Sequence, residues 1–105
     1  MNKRKSSRKK AEVKGNWVEG SVQDFLQLSD ADLEYIEMRL AASRYLKSIR
    51  QAHNMTQKMV AMKLHTSQSR LAKMEAGDSS VSLDLLFKSL FSLGVSRKKL
   101  VRALG

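Results

Sequence analysis

Apolar side chains are scarce over residues 1–16, scattered over 17–28, and from residue 29 onward recur at helical spacing. Each recurrence opens on the same signature: an apolar residue, then Ser or Thr, then a second apolar residue four positions on. Leu28-Ser29 with Leu33, Met55-Thr56 with Val60, Val81-Ser82 with Leu86, and Val95-Ser96 with Leu100 all fit it. In that arrangement the hydroxyl caps the free amides of a helix and the two apolar groups clasp across its first turn. Asp32 adds a carboxylate that can reach back to Ser29, and Ser67 with Leu71 gives a fifth cap, preceded by Thr66 rather than an apolar residue. The pattern predicts helices over about 30–53, 57–64, 68–75, 83–93 and 97–104.

Faces follow from the same spacing. The first helix carries Leu33, Ile36, Leu40, Ala42, Leu46 and Ile49 in a stripe that drifts around its length. The fourth is apolar on two sides, with Leu86, Leu90 and Leu93 on one and Leu83, Phe87 and Phe91 on the other. The second side is either covered by the fifth helix or Trp17, or left for a partner. With no Pro and no strand signal, the expected fold is all-α: a compact five-helix domain over 29–105. A disordered basic arm over 1–16 precedes it. Between them, 17–28 form an irregular lead-in pinned by Trp17, Val22, Phe25 and Leu26.

Composition narrows the class. The chain has 105 residues, room for one small domain, and no cysteine, which rules out disulfides and thiolate metal sites and suits a reducing cytoplasm. No apolar run approaches the roughly 20 residues that span a bilayer. Lys and Arg number 20 against 10 Asp and Glu, a formal charge of +10. The charges are segregated: residues 1–14 hold seven cations and one acid, 15–44 two cations and six acids, and 45–105 eleven cations and three acids. A basic tail, an acidic shoulder and a basic C-terminal half point to a polyanion as partner, nucleic acid ahead of an anionic membrane.

The stretch TSQSRLAKMEAG, residues 66–77, shows where that partner would bind. At about 100° per residue, Leu71, Met74 and Glu75 share one side, and Ser69, Lys73 and Ala76 the other, with Gln68 at the leading tip. Gln, Ser and Lys read base edges in a major groove, and small Ala residues let a helix come close. The bland alternative is a solvated face, which is usually richer in Glu.

Read with the helix before it, the stretch becomes TQKMVAMKLHTSQSRLAKMEAG, and it resembles the helix-turn-helix of the XRE-type family of phage repressors and Cro-like proteins. The matching positions are Thr56, Gln57, Val60, Ala61, Leu64, Ser67, Gln68, Leu71, Met74, Glu75 and Gly77, with the motif at about 57–76. The resemblance implies a lambda-repressor-like domain that binds operator DNA as a homodimer on an inverted repeat, without a cofactor. It implies that Gln57 clamps a DNA phosphate, that Gln68 and Ser69 reach base edges, and that Lys73 reaches a base or phosphate. Ser67 caps the recognition helix beside the backbone, and Arg70 touches phosphate. Arg50 and Glu75 correspond to a structural ion pair, and Asn54 to a left-handed turn residue. His65 stands where the family usually has Gly. As a pH sensor or metal ligand it lacks a second group nearby.

The arm cations Lys3, Arg4, Lys5, Arg8, Lys9 and Lys10 suit wrapping around the duplex or entering its minor groove, or else a non-specific attraction to nucleic acid. The segment GSVQDFLQLSDADLEYIEMRLAASRYLKSIR further resembles antitoxins encoded beside small ribonuclease-type toxins (HigA-type modules), whose basic surfaces would suit Asp24, Asp30, Asp32, Glu34 and Glu37. Negative residues at a helix start serve the helix itself equally well. The expected protein is therefore a cytoplasmic, bacterial, sequence-specific repressor. Its alternatives are a stand-alone regulator without a toxin and a protein acting mainly as a toxin inhibitor. Two isolated histidines and no paired carboxylates leave little on which to build an enzyme.

Overall fold

The computed structural model describes residues 28–105. The basic arm, the lead-in with Trp17, Val22, Phe25 and Leu26, and Asp24 lie outside the described residues. Five helices follow in order: α1 (Asp30–Ala52), α2 (Gln57–Lys63), α3 (Gln68–Ala76), α4 (Leu83–Ser92) and α5 (Arg97–Leu104). No strand occurs among the described residues. The ends fall within one residue of those expected from the sequence.

The described residues fall into two units that meet within α1, 28–36 and Glu37–Gly105. Of the first, the described part holds the opening turns of α1. There the Asp32 amide donates to Ser29 Oγ at 3.0 Å and the Ser29 amide to Asp32 Oδ2 at 3.2 Å, a closed capping box.

In the second unit every helix start uses the hydroxyl that the sequence offers. Thr56 accepts from the Met59 amide, Ser67 from Arg70, Ser82 from Leu85 and Ser96 from Lys99. At Thr56 the box is closed by sulfur, since the Thr56 amide donates to Met59 Sδ at 3.5 Å. The helix ends are equally uniform. After α1, α2, α3 and α4 the chain turns through a residue of positive φ: Asn54 (55°), His65 (58°), Gly77 (75°) and Gly94 (94°). In each case the next amide bonds back five positions, Met55 to Arg50, Thr66 to Ala61, Asp78 to Lys73 and Val95 to Leu90. These paired bonds satisfy carbonyls that a helix end would otherwise leave open.

The core is built from Ala42, Leu46, Val60, Ala61, Leu71, Met74, Val81, Leu86, Leu90, Val95 and Leu100. Ala61, 2 % exposed, is buried on α2, which packs against α3. On α1 the buried set is Arg39, Ala42, Ser43 and Leu46, whereas Leu33, Ile36, Leu40 and Ile49 are only half-buried. On α4, Leu86 and Leu90 of the expected face are buried and Leu93 is half-buried, with Ser89 buried beside them. A serine three residues before the helix end carries no apolar signal, which is why the pattern passed over it. The second apolar side is partly covered: Leu83 and Phe87 are half-buried, and Phe91 is 43 % exposed.

Candidate nucleic-acid interface

α3 is anchored from behind and open in front. Leu71 and Met74 are 0 % and 1 % exposed, and Glu75 is buried with them. Gln68, Ser69, Arg70, Lys73 and Ala76 are exposed and Ala72 is half-buried. Ser67 Oγ accepts the Arg70 amide at 3.1 Å and lies 3.4 Å from Ser69 Oγ, within hydrogen-bond reach. The two serines thus hold each other at the leading end of the helix. Next to Gln68 and Lys73 they form a polar, cationic ridge with no acid among its exposed members.

Behind this ridge, one carboxylate ties three helices together. Arg50 Nε donates to Glu75 Oε2 at 2.6 Å and Nη2 donates to Oε1 at 3.0 Å, a two-pronged pair between α1 and α3. Arg50 Nη1 also donates to the Met55 carbonyl at 3.0 Å, fastening the turn into α2. From the start of α2, Gln57 Nε2 donates to Glu75 Oε1 at 3.2 Å. The Glu75 side chain is 3 % exposed and that of Arg50 13 %. A carboxylate so enclosed is tolerable because both its oxygens are filled by donors and its charge is matched. The bond to Glu75 raises the Arg50 pKa above its ordinary value; burial opposes this and the charge of Glu75 adds to it.

Gln57 therefore sits differently from the free side chain that a phosphate clamp suggests. It is half-buried, with an amide N–H committed to Glu75. The bond spans 18 residues and has no signature in sequence.

Arg39 supplies the contact that sequence reasoning missed. It is 9 % exposed, and its Nη1 donates to the carbonyls of Gly77 and Asp78 at 3.2 and 3.0 Å. It thereby closes the C-terminal end of α3 from α1, a role usually left to water or to cations of the helix itself. One signal was available: Arg39, Ala42, Ser43 and Leu46 follow core spacing, so an arginine stood in line with the buried stripe. At the same end Gly77 leaves no room, since a Cβ there would lie 2.6 Å from Leu40 Cδ2.

A profile of the helix-turn-helix family matches residues 46–100, a span that runs from the second half of α1 into α5. The chain belongs to the XRE-type helix-turn-helix family. In this helix-turn-helix protein the motif is α2, the turn through His65, and α3. The family places it among DNA-binding transcription regulators. No curated protein and no solved structure matches the chain. Among the described residues of this helix-turn-helix protein, no helix is long and apolar enough to cross a membrane. Nor do three or more His, Cys, Asp or Glu side chains there gather into a metal-binding group.

Proposed function

We propose that the protein is a sequence-specific repressor whose α3 enters the major groove of operator DNA. The observation that supports this most directly is the division of α3, with Leu71 and Met74 sealed into the core and Gln68, Ser69 and Lys73 held outward. Gln68 pairs with adenine, or Lys73 with the acceptors of guanine, and Ser69 adds a short contact between them. Gln57, Ser67 and Arg70 bond phosphates on either side and set the register of the helix. The arm cations Lys3, Arg4, Lys5, Arg8, Lys9 and Lys10 extend the contact along the duplex.

Binding as a dimer on an inverted repeat would place half-sites about 34 Å apart, one turn of DNA. The face of α4 that carries Phe91, with Leu83 and Phe87 beside it, is the apolar surface suited to that contact. Occupying a promoter in this way excludes polymerase, which makes repression the mechanism.

Selection of binding sites from random duplexes tests the reading. The full chain should enrich a palindrome, and Gln68→Ala or Lys73→Ala should lose about 1–3 kcal/mol of discrimination at one position of each half-site. A chain that binds all duplexes equally would overturn it.

A second reading adds inhibition of a small ribonuclease-type toxin. It rests on the resemblance to antitoxins and on the exposed Asp30, Asp32, Glu34 and Glu37 at the start of α1. Capture of such a toxin, encoded beside this gene, by a chain carrying Gln68→Ala and Lys73→Ala would support it.

A further inference from the structure

α5 carries its charge in a way that works against its own stability. Its sequence, RKKLVRAL, has no acid, and Arg97, Lys98 and Lys99 occupy the first turn. Cations there face the positive end of the helix dipole. Lys98 and Arg102, one turn apart, add a like-charge pair on one side. All four cations are exposed, and none has an ion-pair partner among the described residues. α2 and α3 also open without an acid, but neither gathers three cations in its first turn; α1 opens on Asp30 and Asp32, and on α4 Asp84 lies 3.4 Å from Lys88 at the favourable spacing.

Only Leu100 of α5 is fully buried, with Leu104 packed partly against the core. The outward side presents Lys98, Lys99 and Arg102 around Val101, which is 70 % exposed. One valine is too little apolar surface to lie in a bilayer interface, which takes a broad hydrophobic face. A second copy of the same helix would bring cations against cations. The pattern fits an anionic surface, and the polyanion a DNA-binding regulator meets is the duplex itself.

We propose that the outward side of α5 is a second, sequence-independent contact to DNA phosphates, made by Lys98 and Arg102 with Arg97 and Lys99 beside them. This rests on the DNA-binding reading of α3 but assigns a different surface. Neutralising phosphates releases counterions, so the contact registers as salt dependence rather than as sequence preference.

The test measures binding of the full chain to a random-sequence duplex by fluorescence anisotropy over a series of NaCl concentrations. Lys98→Gln/Arg102→Gln should lower the slope of log affinity against log salt by about 1–2, and weaken binding several-fold at low salt. The charge-matched control Arg44→Gln/Lys88→Gln, on exposed positions of α1 and α4, should change the slope much less. Thermal unfolding of the α5 variant should stay close to that of the wild type, because relieving Lys98 of its clash with the helix dipole and with Arg102 offsets the loss of Arg102 from the favourable last turn. Equal slopes for the α5 variant and the control would overturn the proposal, as would a weakened interaction with polyglutamate alone. Failure of the wild type to bind any duplex would instead overturn the reading of α3. Retained preference for a selected palindrome by the α5 variant, with the slope reduced, is the expected combination.

Discussion

Gln57 Nε2 donates to the same Glu75 oxygen, Oε1, that receives Arg50 Nη2. One carboxylate therefore holds the first side chain of α2, the last turn of α1 and the buried side of α3 in a single arrangement. Within the reading proposed above, the phosphate clamp and the base-reading helix cannot move independently.

Breaking this cluster from one side should be costly. Glu75→Ala leaves the Arg50 guanidinium largely enclosed with only the Met55 carbonyl as acceptor and no counter-charge, and should lower stability by about 3 kcal/mol in urea unfolding. Arg50→Met/Glu75→Leu, which removes both charges, should lose clearly less than the two single changes together. Strict additivity would show that the pair is not coupled. Gln57→Ala should cost only about 1 kcal/mol of stability.

Arg39 should prove as important as any core leucine. Its Nη1 bonds two carbonyls at the end of α3, so Arg39→Ala should destabilise by about 2 kcal/mol. Arg39→Lys, which keeps the charge but not the planar fork, should recover part of that loss. A thermal melt of both variants suffices, and equal melting temperatures for Arg39→Ala and wild type would refute the assignment.

The left-handed turns differ in the space around them. Gly94 has φ 94° and nothing within 4 Å of a built Cβ, so Gly94→Ala meets only backbone strain of about 1–2 kcal/mol. Gly77 adds the approach of Leu40 Cδ2, and Gly77→Ala should cost about 1 kcal/mol more. His65, at φ 58°, already bears such strain, and His65→Gly should raise stability by about 0.5–1 kcal/mol. Denaturant midpoints in the reverse order would contradict this ranking.

Asp78 gives the turn after α3 a pH dependence. Hydrogen bonding from the Ser80 side chain and then from its amide, which donates to Asp78 Oδ1 at 2.8 Å, holds the carboxyl pKa below its ordinary 3.8; Lys73 and Arg39 add smaller favourable effects and burial opposes them. A lowered pKa means that the stabilisation is complete above the ordinary value and is lost as pH falls through the lowered one. Asp78→Ala should therefore melt below the wild type at neutral pH, with the gap closing in acid below 3.8. A gap independent of pH would assign the effect to shape rather than charge.

Much of this architecture was legible beforehand because it is local. Ser29, Thr56, Ser67, Ser82 and Ser96 each bond an amide three residues on, and such contacts follow from neighbours in the chain. The two sides of α3 follow from helical spacing in the same way. Ser89 escaped notice because a small polar residue has no hydropathy signal of burial, and Met59 because a thioether seldom closes a cap. The arm cations, the lead-in and Asp24 lie outside the described residues.

By itself the sequence determined where each helix starts and stops, which side of α3 is apolar, and that the chain carries a helix-turn-helix. Each of these depends on residues within about one or two turns of one another. Only the tertiary structure decided that Arg39 closes α3 across 38 residues and that Gln57 spends a donor on Glu75 across 18; the Arg50–Glu75 bond across 25 was implied by the family resemblance and by no local pattern. Those bonds depend on where whole helices come to rest, and that is settled by the packing of Leu46, Leu71, Met74, Leu86 and Leu90 into one interior rather than by any short stretch of chain.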